Sequence, residues 1–223
     1  EYLFVDHGHS LSIVCPWGNN FAVYPCKFPE EYHHSCSDDS TNEGRLPRLA
    51  KTHKDVDEHM AIRSSPGIRF VEFKVGNNCA AAILAFYRKY FEAKGELVPS
   101  ETGAKAVISV GPSTHFVFTE SQDPLLPSNI EKQAGVHVCV YIAKFQESYN
   151  RLKDSNLIWT NPRFTYLDTC DTYGEAKMSR QFRFKTFIDS AASSDTDKEI
   201  FELEHETRAL THAKFLSVLV NTS

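Results

Sequence analysis

Alternating apolar and polar residues mark the start of the chain as β-structure. Two short runs, LSIVC from Leu11 and FAVYP from Phe21, are rich in β-forming residues and flank the cluster PWGNN. Apolar runs on either side of a Gly/Asn/Pro cluster indicate a β-hairpin. Residues 1–28 are therefore predicted to form an N-terminal hairpin.

Residues 29–66 show little hydrophobic periodicity. The segment is rich in polar residues, and a short helix around Leu46–Met60 is its one regular feature. We interpret it as a polar connector between the hairpin and the rest of the chain.

A regular pattern begins at Gly67. The run GIRFVEFKV is predicted to be a strand, and CAAAILAFYRKYFEA, with apolar residues at three-and-four spacing, a helix. We expect Asn77 or Asn78 to cap this helix and Gly95 to end it. Three β-type runs follow, ELVPS, AKAVISV and THFVFTE, separated by turn residues. Residues 67–127 are therefore predicted to form a βαβββ module.

The same order of elements recurs over residues 128–223. It consists of GVHVCVYIA, the helix FQESYNRLKD, and the runs LIWTN, FRFKTFI and IFELEHE. A ferredoxin-like pair would need a second helix between the last strands of each module, and none is evident from the pattern. The sequence thus predicts an α+β fold with tandem βαβββ modules forming a curved mixed sheet around a cleft, plus the N-terminal β-hairpin.

Composition narrows the classes of partner. The chain has 223 residues, 41% of them hydrophobic, and a net charge of −5 without a long basic run, which argues against nucleic-acid binding. It contains no apolar stretch long enough to span a membrane and no signal-peptide pattern in its first residues. Six cysteines without a CxxC pair favour a reducing compartment, so we expect a soluble protein of the cytoplasm or an organellar lumen.

The two modules resemble those of a known superfamily. The stretch GIRFVEFKVGNNCAAAILAFYRKYF is similar to the start of a first module in the hydroxyphenylpyruvate dioxygenase branch. VHVCVYIAKFQESYNRLKDSNLIWTNPRF, followed by KEIFELEHETR, resembles glyoxalase-type domains. The chain therefore resembles the vicinal-oxygen-chelate superfamily of glyoxalases, bleomycin-resistance proteins and extradiol dioxygenases. PWGNNF resembles the turn before a last strand in that family, which makes residues 1–28 a possible remnant of a preceding module.

The resemblance implies metal ligands on the first and last strands of each module. It places His137 and Glu202 at these positions in the second module and Phe70, which cannot bind a metal, in the first. His115 is available on the last strand of the first module if the preceding turn shifts the register. His115, His137 and Glu202 would then form a two-histidine, one-carboxylate site for Fe, Mn, Ni or Zn. Glu72, on the face of Phe70, and Glu202 are the candidate catalytic bases.

Other candidate side chains carry charge or an aromatic ring. Glu202, Glu204 and Glu206 alternate on one face of the last predicted strand, while Leu203 and His205 lie on the other face. Nearby arginines either bind a substrate carboxylate by bidentate contacts or pair with these glutamates across strands. The candidate substrate-binding residues are Arg163, Arg183 and Tyr141, and Arg180 is a further possible partner of the glutamates.

Three classes of function remain open from the sequence. The first is a divalent-metal-dependent lyase, isomerase or dioxygenase acting on a small oxygenated substrate. The second is a non-catalytic module that binds a small ligand in an aromatic-lined cleft and whose cleft no longer holds a metal. The third is a structural subunit of a larger assembly, and the expected partners are a small-molecule ligand and either a second copy of the chain or the other subunits of such an assembly. Fold alone does not choose among them.

Overall fold

The computed structural model describes residues 3–8, 10–15, 19–24, 68–111, 114–122, 136–165, 168–189 and 198–215. The chain divides into two units, Glu1–Arg69 and Phe70–Ser223. The connector predicted over residues 29–66 lies outside the described residues.

The first unit contains a small antiparallel sheet. Its strands are β1 (Leu3–Asp6), β2 (Leu11–Val14) and β3 (Asn20–Val23), in the order β1-β2-β3. The predicted hairpin of β2 and β3 is confirmed, and β1 adds a third strand. Phe4 and Phe21 are both paired with Ile13 and so share a sheet face, and they are 59% and 51% exposed.

The second unit opens with a complete βαβββ repeat. It consists of β4 (Phe70–Val75), α1 (Ala80–Phe91), β5 (Gly95–Ser100), β6 (Gly103–Gly111) and β7 (Thr114–Glu120). The sheet order is β4-β7-β6-β5, with β4 and β7 parallel and the other pairs antiparallel. A parallel pair needs a long crossover, and here α1, β5 and β6 lie between the paired strands.

Helix α1 is capped from outside its own segment. The expectation that Asn77 or Asn78 caps it is wrong, because the N-cap is Cys79 and its side chain makes no capping bond. Instead the carboxylate of Glu120, at the end of β7, accepts from the backbone N–H of Ala80 (3.0 Å) and that of Ala104 (3.1 Å). A carboxylate also suits the positive end of the helix dipole. The helix ends at Phe91, before the expected Gly95.

Replacing this distant cap should destabilise the protein. Glu120→Ala leaves two N–H groups without their acceptor, and we expect the free energy of unfolding to fall by about 2 kcal/mol. Urea denaturation measures the loss. Glu120→Gln, which keeps one acceptor oxygen, should lose roughly half as much. The exposed Glu101→Ala serves as the matched control, and an equal effect of both alanine variants would contradict this account.

Within the residues that the structure describes, the second repeat has one strand fewer than the first. It consists of β8 (His137–Ile142), α2 (Phe145–Asp154), α3 (Tyr173–Ser179), β9 (Gln181–Asp189) and β10 (Lys198–Ala209). The sheet order is β8-β10-β9, with β8 and β10 parallel. The first and last strands of both repeats therefore pair in the same way.

The predicted strand LIWTN is wrong, since residues 157–161 form no strand. The backbone N–H of Trp159 donates to the carbonyl of Arg183 in β9 (2.9 Å), but Pro162 soon follows and has no N–H to donate. Helix α3, which was not predicted, begins with a capping box formed by Thr172 and Glu175. That T-x-x-E spacing was the sequence signal for it.

Aromatic side chains pack between the two sheets of the second unit. The ring of Phe118 on β7 lies 5.8 Å from Phe201 and 6.2 Å from Phe187, and Phe116 lies 6.2 Å from His205. The strands of the second unit thus form two hydrogen-bonded sheets whose inner faces are in contact through these side chains. The α+β class is confirmed. Because side chains alternate along strands, the polar residues between these aromatics point to the two outer faces.

One buried hydroxyl in this core offers a stabilising substitution. Thr207 on β10 is 0% exposed, and its Oγ1 has no hydrogen-bond partner among the described residues. Valine has the same shape without the hydroxyl, so Thr207→Val should raise the free energy of unfolding by about 1 kcal/mol. Thermal unfolding measures the gain. Thr207→Ser, which keeps the hydroxyl and loses a methyl group, should be less stable than the parent, and a stabilised serine variant would refute the argument.

No helix in the described ranges has both the length and the apolar character needed to cross a membrane. Cys79, Cys139 and Cys170 are free thiols, and Cys139 is exposed on β8.

Candidate functional site

Charged side chains concentrate on the outer face of the β8-β10-β9 sheet, which we call the charged face. In register, His137 lies beside Glu204, Cys139 beside Glu206, and Tyr141 beside Arg208. The members of the charged face are His137, Cys139 and Tyr141 on β8, Glu202, Glu204, Glu206 and Arg208 on β10, and Arg183 and Lys185 on β9.

Arg183 is the centre of this face and is only 5% exposed. Its Nη1 donates to Glu204 (2.8 Å), its Nη2 to Glu206 (2.5 Å), and its Nη2 and Nε to Asp168 (3.0 and 3.3 Å). Burial by itself would lower the pKa of Arg183, but the hydrogen bond to Asp168 and the surrounding carboxylates raise it. Arg183 thus pairs with Glu204 and Glu206, as one of the two sequence alternatives expected.

A second arginine completes the charge balance. Arg208 donates from Nη1 to the hydroxyl of Tyr141 (3.1 Å) and pairs through Nη2 with Glu206. The two guanidinium groups thus face the three carboxylates of Asp168, Glu204 and Glu206. The cluster carries one excess negative charge.

A loop lies over part of the charged face. This covering loop comprises residues 157–165 and 168–170, and its first part, residues 157–161, is where a strand was predicted. Asn161 donates to both carboxylate oxygens of Glu204 (2.9 and 3.1 Å). The ring of Trp159 lies 5.5 Å from Lys185 Nζ, and that of Phe164 lies 5.1 Å from Arg183 Cζ. Its side chains therefore bind the face of the sheet, while the backbone N–H of Trp159 donates to Arg183 on the edge strand β9.

The predicted metal ligands are divided between two outer faces. His115 alternates with Phe116 on β7 and therefore points away from β10. Glu202 alternates with Leu203 on β10 and points to the charged face. The aromatic side chains between the two sheets, which we call the aromatic layer, separate them. The structure therefore does not bring His115 together with Glu202 and His137.

His137 and Glu202 share the charged face, but Glu204, not Glu202, is in register with His137. Glu202 accepts from Lys185 Nζ (2.9 Å). In the ranges that the structure describes, no group of three His, Cys, Asp or Glu side chains could hold a metal ion. The residues present therefore do not fit the metal site that the resemblance implies.

The remaining predicted residues are dispersed. Glu72 lies on the outer face of β4, where it accepts from Thr119 Oγ1 and from Lys105 Nζ (3.3 Å). It is on the opposite side of the aromatic layer from the charged face. Arg163 is exposed on the covering loop, and its backbone N–H donates to Asn161 Oδ1 (3.0 Å).

A buried hydrogen-bonded pair of a histidine and a tyrosine was not anticipated from the sequence. His205 on β10 is 1% exposed; its Nδ1 donates to the carbonyl of Leu203 (2.9 Å), and its Nε2 accepts from Tyr87 (2.7 Å). The ring stacks on Phe184 with centroids 4.5 Å apart. Burial lowers the pKa of His205 to about 4 and raises the pKa of Tyr87. Alternation predicted that His205 points to the face opposite the glutamates, but its partner comes from a helix 118 residues away in the chain.

Solved structures provide the comparisons. A possible glyoxalase from Bacillus cereus is 14% identical over 65% of this chain and 99% of its own, with a TM-score of 0.37. A lactoylglutathione lyase from Agrobacterium tumefaciens is 13% identical over 69% and 100%, with a TM-score of 0.34. A glyoxalase/bleomycin resistance protein/dioxygenase from Nocardioides is 14% identical over 74% and 96%, with a TM-score of 0.35. No family model and no curated protein matches the chain.

The strand order shows which fold the second unit has. A complete βαβββ repeat is followed by a second repeat with the same parallel pairing of first and last strands. This is the α+β fold that the resemblance to the vicinal-oxygen-chelate superfamily implies, with one strand fewer in the described part of the second repeat.

Proposed function

We propose that this protein is a non-catalytic module that binds a small ligand on the charged face of its second repeat. The observation that carries the proposal is the concentration of charge on one outer face, next to Tyr141, Trp159 and Phe164. The attraction within a buried ion pair often does not exceed the free energy needed to remove its charges from water. A fold therefore needs no such cluster for stability. Groups with a perturbed pKa, as Arg183 and Arg208 have here, are enriched at functional sites.

The arrangement supports binding better than metal-dependent catalysis. The predicted ligand His115 lies beyond the aromatic layer, and Glu202 is paired with Lys185. Glu72, the other candidate base, is paired with Lys105 on a different sheet. We therefore derive no metal-assisted or proton-transfer step for these residues.

Metal analysis separates binding from the metalloenzyme hypothesis. Purified protein should carry only substoichiometric Fe, Mn, Ni or Zn, and His137→Ala should change neither the metal content nor the melting temperature. Elemental analysis by mass spectrometry measures the first and thermal unfolding the second. Stoichiometric metal that is lost in His137→Ala would overturn the proposal in favour of a lyase, isomerase or dioxygenase.

Ligand binding can be mapped directly with small aromatic probes. Benzoate and benzylamine, one of each charge, are titrated into the isotope-labelled full chain and followed by amide chemical shifts. We expect saturable shifts on β8, β10 and the covering loop for at least one probe, and none on β5 of the first repeat. Shifts spread evenly over both repeats, or none at all, would contradict the proposal.

A further inference from the structure

Asp168 differs from the other carboxylates around Arg183 in where the chain supplies it. Glu204 and Glu206 project from β10 and are fixed by the sheet, whereas Asp168 belongs to the covering loop. Glu204 is also held by Asn161, and Glu206 by Arg208. Asp168 is therefore the carboxylate that can leave Arg183 without a change in the sheet.

The contacts of Asp168 are incomplete. Its Oδ2 accepts from Arg183 Nε and Nη2 and from Gln181 Nε2. The side chain is only 9% exposed, and its Oδ1 is buried without a hydrogen-bond partner among the described residues. An unsatisfied buried acceptor destabilises the arrangement that contains it.

The exchange of Asp168 for another carboxylate leaves the charge balance of the cluster unchanged. With Asp168 in place, three carboxylates face the two guanidinium groups of Arg183 and Arg208. Without it, two carboxylates face two guanidinium groups, and Arg183 still has Nε and part of Nη2 free for an acceptor. The Nε and Nη2 groups of a guanidinium can donate two parallel hydrogen bonds to the two oxygens of a carboxylate.

We infer that Arg183 and Gln181 form a binding site for the carboxylate of a small ligand, and that the side chain of Asp168 occupies this site when no ligand is bound. The inference rests on the proposed function and assigns a chemical class to its ligand. A ligand carboxylate replaces Asp168 on Arg183 and Gln181, and Asp168 moves into solvent. No covalent bond forms or breaks.

The test is chemical rescue with acetate, using the full chain with Asp168→Ala. Melting temperatures are measured at pH 7 in sodium acetate and in sodium chloride at matched ionic strength. Asp168→Ala should show a saturable, acetate-specific rise of about 3 °C at ten times the acetate Kd. The parent protein should gain less because its own carboxylate competes. Asp168→Ala combined with Arg183→Met should gain nothing from acetate beyond the effect of chloride.

Asp168→Asn is the second variant, because it keeps the side-chain volume and the fold-stabilising packing while removing the charge. It should show the same preference for acetate, and if neither variant prefers acetate to chloride, the inference is overturned. The two proposals fail separately. Rescue by acetate without any probe binding to the parent protein would support the carboxylate site at Arg183 and refute the ligand-binding function. Probe binding without rescue would support the ligand-binding function and refute the carboxylate site.

Discussion

Arg183→Met should lower the free energy of unfolding by about 3–5 kcal/mol, because removing one member of a buried ion cluster leaves uncompensated buried charge. The variant keeps much of the side-chain length but leaves Asp168, Glu204 and Glu206 without their shared guanidinium. Urea denaturation at pH 7 measures the loss. Repeating it at acidic pH should show a smaller difference from the parent, since protonation of the carboxylates relieves their repulsion.

The matched control is Arg180→Met in the same segment of the chain. Arg180 is exposed, and its Nη1 donates to the carbonyl of Thr211 (2.6 Å). We expect it to cost less than about 1 kcal/mol, as exposed pairs and contacts do. Similar losses for both arginine variants would show that the cluster around Arg183 has no special role in stability.

The second large effect is a dependence of stability on pH through His205. Its pKa is about 4 in the folded protein and 6.5 when unperturbed, so between these values the unfolded chain binds the extra proton. Stability is therefore fully present above pH 6.5 and falls as the pH drops toward 4. The folded state should lose about 2 kcal/mol by pH 5 and about 3 kcal/mol by pH 4 through this residue.

The double variant Tyr87→Phe/His205→Phe isolates this contribution. It removes both partners of the hydrogen bond between Tyr87 and His205, so no buried donor or acceptor of that pair is left unsatisfied. Urea denaturation between pH 7 and 4 should show a shallower decline for the variant than for the parent, because the carboxylates of the charged face are present in both. Parallel pH profiles would rule out His205 as the source.

Local sequence patterns were sufficient to predict the first repeat. The strand at Phe70–Val75, the helix from Ala80 and the three strands that follow were all predicted from period-two and three-and-four spacing. Such spacing reports which side of an element is apolar, and that side becomes the core. It also placed Glu202, Glu204 and Glu206 on one face and His205 on the other.

Contacts distant in sequence were not predictable in the same way. Glu120 caps a helix that begins 40 residues earlier, and Tyr87 pairs with His205 across 118 residues. The segment LIWTN has the composition of a strand, but the side chains of Asn161 and of the nearby Asp168 bind Glu204 and Arg183 on the charged face. A polar side chain binds whichever donor or acceptor the fold brings near, and local sequence does not contain that information.

The charged face illustrates what the sequence and the tertiary structure each determine. The sequence alone determined that glutamates and arginines of the second repeat can share a face, because alternation along a strand is a local property. Only the tertiary structure decided that Arg183 is buried among three carboxylates, that Asp168 comes from the covering loop, and that His115 lies beyond the aromatic layer. These outcomes depend on which faces of two sheets pack together, and this packing is set by the combined burial of aromatic side chains from elements far apart in the chain.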